Sequence, residues 1–156
     1  LTESCSFVTK SPEETLLLGK LLGSLLPKGS FLILKGDLGC GKTVLTKGIA
    51  LSLGVPEDEV SSPSFNIVHD YGSLVHMDFY RLSSPEELYD LGFEDILSDE
   101  RVKVAEWGDL AGGIVESPIV VECKEVEGGR EFIIYDPTGK ICQQLNKLWR
   151  EHVKDS

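Results

Sequence analysis

At 156 residues, 41% hydrophobic and 26% charged, the chain has the size and make-up of one globular domain with a full core, expected over residues 1–156. A formal net charge of −11 excludes a direct grip on RNA or DNA by phosphate neutralisation, so another chain is expected to make any nucleic-acid contact. No apolar run approaches a membrane span, and the four widely spaced cysteines lack C-x-x-C or zinc spacing. They predict reduced thiols in a cytosol-like compartment, or in an organelle stroma or matrix if a transit peptide has been removed.

Ser6-Phe7-Val8-Thr9 reads as a short first strand. Ser11-Pro12-Glu13-Glu14 has the form of a capping box with proline at the first helical position. Leu17, Leu18, Leu21, Leu22 and Leu25 then supply an apolar face at helical spacing, and Pro27-Lys28-Gly29 ends the helix. Phe31-Leu32-Ile33-Leu34 predicts a buried strand, and Val44 to about Leu53 a helix stopped by Gly54 and Pro56. Phe65 to His69 and Leu74 to Asp78 predict two strands around the turn Tyr71-Gly72-Ser73. A second capping box, Ser84-Pro85-Glu86-Glu87, opens a short helix that Gly92 terminates, with another helical turn over Phe93 to Leu97. Val102 to Ala105 reads as a buried strand ending at Glu106. Ile119 to Cys123 and Phe132 to Tyr135 form a hairpin around Glu127-Gly128-Gly129, and an amphipathic helix runs from Lys140 through Trp149. Helices between early strands suggest parallel pairing there, and hairpins must be antiparallel. The predicted fold is α/β, a P-loop NTPase-like mixed sheet with flanking helices.

The most specific stretch is Gly36-Asp37-Leu38-Gly39-Cys40-Gly41-Lys42-Thr43, which fits G-x-x-x-x-G-K-[ST] between a strand and a helix. Glycines let the backbone curl so that successive N–H groups face an anion, and the helix adds its positive N-terminal end. Lys42 is placed to reach β- and γ-phosphates, and the Thr43 hydroxyl to hold Mg²⁺. Such a site also needs a carboxylate at the end of a buried strand, rigid and facing the phosphates; Asp78 and Glu106 both qualify. Ser61-Ser62-Pro63-Ser64-Phe65 is a turn by composition, and in this setting could also close on γ-phosphate and Mg²⁺ as a switch loop does. Cys40 is read as a small residue tolerated at a variable motif position, His69 and His76 as ordinary strand histidines. Arg81 is either a structural ion pair or an arginine finger, and Glu94-Asp95 with Asp99-Glu100 a solvated face.

The P-loop, then Ser62-Pro63-Ser64-Phe65, His76-x-Asp78-x-Tyr80-Arg81-Leu82, Pro85-Glu86-Glu87-Leu88 with Leu91-Gly92, and Glu106-Trp107 come in one order over nearly the whole chain. In this the sequence resembles the TsaE (YjeE-type) family. These are small P-loop ATPases, weak alone, that act with TsaD and TsaB partners to make threonylcarbamoyladenosine in tRNA. The resemblance implies ATP and Mg²⁺ as ligands, with tRNA met only through the partners. It implies that the run Asp37-Leu38-Gly39-Cys40-Gly41-Lys42-Thr43-Val44, with Ser62, Ser64 and Trp107, binds nucleotide. Thr43 and Glu106 then hold the metal; Lys42, Asp78 and Glu106 serve hydrolysis; and the helix opening near Ser11 lies near the base. Ser61 and Ser64 stand where the family often has Thr, Cys40 where Ala is common, and the match loosens after Trp107, leaving Arg130 without an assigned role.

Other functions are weighed against this one. A small-molecule kinase needs an Arg-rich lid, and no such segment appears among only 15 Lys and Arg. A Ras-like GTPase needs N-K-x-D, and Asn146-Lys147-Leu148-Trp149 lacks the acid. A non-catalytic ATP-binding scaffold keeps the same loop and stays open.

Overall fold

A computed structural model describes residues 3–37, 39–60, 67–79, 82, 84–106 and 114–153. The elements are β1 (Glu3–Thr9), α1 (Pro12–Leu25), β2 (Phe31–Lys35), α2 (Lys42–Ser52), a 3₁₀ turn (Glu57–Glu59), β3 (Val68–Asp70), β4 (Leu74–Asp78), α3 (Pro85–Asp90) and α4 (Phe93–Leu97). β5 (Val102–Glu106), β6 (Ile119–Val126), β7 (Gly129–Asp136) and α5 (Lys140–His152) complete them. The strands form one sheet in the order β1-β7-β6-β2-β5-β4-β3. The inner strands β6, β2, β5 and β4 run parallel, whereas β1–β7, β6–β7 and β3–β4 pair antiparallel. The predicted mixed sheet is therefore present, with one correction. β1 does not join β2 across α1; it lies at the far edge against β7, because β6 already occupies the free side of β2.

β2 explains why the centre of the sheet reads as an unbroken apolar run. Leu32 and Leu34 face one core with Leu18, Leu22, Leu45 and Ile49, while Phe31 and Ile33 face a second core with Met77, Phe79, Leu88 and Phe93. Burial on both faces removes the polar alternation of a half-exposed strand. α1 and α2 cover the first face, α3 and α4 the second.

Helix starts follow local chemistry closely. Ser11 caps α1, its Oγ accepting from Glu14 N at 3.1 Å, and Glu14 Oε1 accepts from Lys10 N at 2.8 Å. The second box is only half realised: Ser84 occupies the cap position in extended backbone, but its hydroxyl accepts no capping bond. α1 meets α2 through glycine rather than through the leucine stripe alone. A Cβ on Gly48 would lie 2.3 Å from Leu16 O and 2.8 Å from the Gly19 Cα, and one on Gly19 would lie 2.3 Å from Leu45 O. Overpacking costs about 1–3 kcal/mol, and contacts this short against backbone belong at the upper end. Gly48→Ala is therefore expected to lose more than the roughly 1 kcal/mol it gains in helix propensity. A lower urea midpoint at unchanged m-value is the expected reading.

α5 is held by Asp136, the last residue of β7. Its buried carboxylate accepts from Ile141 N (2.8 Å), Cys142 N (3.1 Å), Thr138 N (3.0 Å) and Thr138 Oγ1 (3.0 Å). Asp136→Ala strands these donors and is expected to cost about 2 kcal/mol or more. That corresponds to roughly 4–8 °C in the thermal midpoint of a chain this size.

The expected set of four reduced thiols is corrected. Cys5 of β1 and Cys142 of α5 form a disulfide with their Cα atoms 5.7 Å apart, while Cys40 and Cys123 are free and buried. Trp149 packs edge-on against Phe7, 5.8 Å between ring centroids, closing α5 over the same edge. The acidic stretch before β5 is not wholly a solvated face either. Arg101 pairs with Asp99 and Asp70, each at 2.7 Å, and its hydrogen bonds hold both carboxyls below the usual carboxylate range.

Candidate functional site

The site is built at the carboxyl ends of the parallel strands, where loops leave an α/β sheet. β2 delivers the chain there: Leu34 lies in register with Glu106 of β5 on one side and Val121 of β6 on the other. The chain then turns at Gly36, whose φ is +141°. A Cβ at that residue would lie 2.7 Å from both Cys123 O and Cys40 Sγ, so the turn is closed to any other residue on two counts. Cys40 N donates to Asp37 O at 3.2 Å, curling the loop. Gly41, at φ +118°, starts α2 with no side chain to cap it, and Leu45 N closes the first turn on Gly41 O. The helix thus presents its N-terminal end to the loop without a competing capping oxygen.

Lys42 is nearly fully buried, and its Nζ donates to Gly36 O at 2.6 Å. This bond folds the ammonium back over the loop. Thr43 follows in the first turn of α2, and Val44 and the glycines Gly39 and Gly41 border a cavity of about 230 Å³. Lys10, Ser11 and Arg130 line the same cavity, which brings the start of α1 beside the loop. Asp37 and Cys40 line a separate depression of about 560 Å³, with Glu122 and Cys123 of β6. Leu38, Ser62, Ser64 and Trp107, with Ser61, Pro63, Phe65, Tyr80 and Arg81, lie outside the described residues.

The two candidate carboxylates come together. Asp78 and Glu106 end adjacent parallel strands and are register partners, both buried. Residues in register on parallel strands share a face, so Leu34, Glu106 and Asp78 make one row. Leu34 belongs to the core under α2, which puts the acids on the side of the sheet that the loop's helix covers.

The sequence predicts an ordinary strand histidine at His76, whereas the structure pairs it with a buried carboxylate. Its Nε2 lies 2.7 Å from Glu106 Oε2, with both side chains at most 4% exposed. The pairing leaves Nδ1 buried with no hydrogen-bond partner among the described residues. Tyr71 and His69 pack around the imidazole, their ring centroids 6.4 and 6.2 Å from it. The signal was available: His76 and Asp78 are two apart in a strand and must share a face.

Cys123 Sγ donates to Cys40 O at 2.8 Å. The neighbouring Cys123 thiol, with the charge on Lys42, holds the Cys40 thiol below its ordinary value, while Cys40 and burial push Cys123 up. No described helix is long and apolar enough to cross a membrane.

A mixed α/β sheet with flanking helices, feeding a G-x-x-x-x-G-K-T loop from its central parallel strand into a helix, defines a P-loop NTPase-like protein. Residues 9–132 match the family model of the threonylcarbamoyl adenosine biosynthesis protein TsaE. The tRNA threonylcarbamoyladenosine biosynthesis protein TsaE of Bacillus subtilis is 41% identical over 148 residues, 89% of this chain and 92% of that protein. Its counterpart in Treponema pallidum is 36% identical over 132 residues, 81% of this chain and 97% of that one. The crystal structure of Bacillus subtilis YdiB superposes with a TM-score of 0.74 at 27% identity, covering 95% of this chain and 97% of that chain. The chain belongs to the TsaE family, and its role lies in tRNA threonylcarbamoyladenosine biosynthesis.

Proposed function

We propose that this chain is the Mg²⁺-dependent ATP-binding and ATP-hydrolysing subunit of a tRNA-modifying assembly, working with TsaD-type and TsaB-type partners. The observation that carries the reading is the uncapped start of α2 beside the buried Lys42 ammonium, with the Asp78–Glu106 row on the face that α2 covers. Backbone amides from Gly39 to Val44 bind the phosphates. Lys42 exchanges its bond to Gly36 O for β- and γ-phosphate oxygens, a stronger charge-assisted contact. The cavity walled by Ser11, Val44 and Arg130 receives the nucleoside.

A Thr hydroxyl and a carboxylate are hard oxygen donors of the kind Mg²⁺ takes together with phosphate, so the residues present suit that ion. Thr43 and Glu106 would hold it, and when bound it neutralises charge on the transferring phosphoryl group. His76 fixes one carboxylate oxygen of Glu106 and leaves Oε1 to point elsewhere. Asp78 orients the attacking water. The work delivered to the partners is a conformational cycle between the ATP-bound and hydrolysed states. The charge of −11 supports a reading in which the partner chains make the tRNA contact.

The deciding experiment measures ATP binding by calorimetry and ATP turnover with and without both partners and tRNA. Turnover that rises with the partners supports the proposal. No heat of Mg-ATP association, alone or in the assembly, sinks it.

A further inference from the structure

We propose that Cys40 and Cys123 form an oxidant-sensitive pair, a modification site for hydroperoxide-class oxidants that locks the phosphate loop onto β6. The two residues are 83 apart in sequence, yet Cys123 Sγ donates to the Cys40 carbonyl at 2.8 Å. A single point, the place of a Cβ on Gly36, lies 2.7 Å from Cys40 Sγ and 3.1 Å from Cys123 Cβ. Both cysteines, though buried, line the 560 Å³ depression, which has room for a molecule the size of a peroxide. The disulfide between Cys5 and Cys142 is elsewhere, on α5 and the far edge strand, and does not compete for either thiol.

The chemistry balances with one peroxide. Cys40 sulfur attacks the peroxide, forming an S–O bond as the O–O bond breaks, and water or the alcohol leaves. Cys123 sulfur then attacks the resulting sulfenic acid; the S–S bond forms, the S–O bond breaks, and the hydroxyl departs as water with the Cys123 proton. Two thiols are oxidised by two electrons in all, and the peroxide is reduced by two.

A disulfide requires sulfurs about 2.05 Å apart, much closer than any hydrogen-bonded thiols. Cys40 sits between Gly39 and Gly41, so closing that gap moves the amides of the loop itself. The nucleotide consequence rests on the proposed ATP-binding reading; the covalent pair does not.

The full-length protein is treated with hydrogen peroxide, digested without reduction and mapped by mass spectrometry, while Mg-ATP affinity is measured before and after. A peptide joining residues 36–42 to the Cys123 peptide is expected. With it comes a loss of at least about tenfold in affinity, since displacing contacts worth about 1.4 kcal/mol suffices. Thiol reductant is expected to restore binding. Cys123→Ser, and Cys123→Ala as a second variant, should bind like the parent and show no peroxide effect. Cys40 oxidised to sulfinic acid without cross-link, or a cross-link with unchanged affinity, overturns the proposal. A parent protein that never binds Mg-ATP instead defeats the proposed function, and the cross-linked peptide still decides whether the pair forms.

Discussion

Lys42→Ala is expected to weaken Mg-ATP binding by roughly ten- to a hundredfold, the equivalent of one hydrogen bond to a charged group at about 1.5–3 kcal/mol. Turnover should fall below detection, because the same ammonium is asked to neutralise charge that grows during phosphoryl transfer. The fold should survive. Lys42 Nζ bonds to Gly36 O, a carbonyl whose loss of one donor costs only about 1 kcal/mol. Unfolding and binding are thus separable: a thermal midpoint within a few degrees of the parent beside a large affinity loss is the expected pattern. Lys42→Arg is not expected to rescue, because a rigid planar guanidinium cannot occupy the space of a buried point charge. A Lys42→Ala protein that still supported repeated rounds of tRNA modification would remove the loop from the mechanism.

Most local elements were legible because each carries its own signal. The apolar run of β2, the Ser11 cap and the amphipathic α5 depend on neighbours a few residues away. What was not legible depends on partners far along the chain. β1 pairs with β7, some 130 residues later, and nothing in Ser6 to Thr9 states which edge it will occupy. The Gly19–Gly48 contact needs two helices docked before its purpose appears. Asp136 caps a helix from the end of the preceding strand, at a spacing no capping-box pattern covers. The Cys5–Cys142 bond follows from β1 and α5 meeting, which spacing alone cannot reveal.

The site divides the same way. The loop, Lys42 and Thr43 are contiguous and were readable as a motif; the pairing of Asp78 with Glu106 became certain only through the β4–β5 register. Cys40 reads as a tolerated small residue in the motif, because its contact with Cys123 on another strand is invisible in sequence. The His76–Glu106 contact is not legible in sequence, because a lone histidine in a strand carries no information about a carboxylate on the neighbouring strand.

That histidine sharpens the second large prediction. Glu106→Gln is expected to cut turnover by roughly 100- to 1,000-fold, the scale seen when one electrostatic contact to a transition state is removed. The change is isosteric, and the amide oxygen of Gln can still accept from His76, so folding should be little affected. What disappears is the negative charge proposed to hold Mg²⁺. Metal dependence of turnover should therefore shift to higher Mg²⁺, whereas ATP binding without metal should change little. Asp78→Asn separates the roles: if Asp78 orients water, turnover falls with the Mg²⁺ midpoint unmoved. His76→Ala tests positioning rather than chemistry. It frees Glu106 to rotate and is expected to raise the Mg²⁺ midpoint by roughly 10- to 100-fold, as losses of groups behind a metal ligand do. His76→Gln, which keeps a donor near the same place, should recover much of that loss. Equal Mg²⁺ midpoints for the parent, Glu106→Gln and His76→Ala would move the metal away from β5 and leave Glu106 with a purely structural bond to His76.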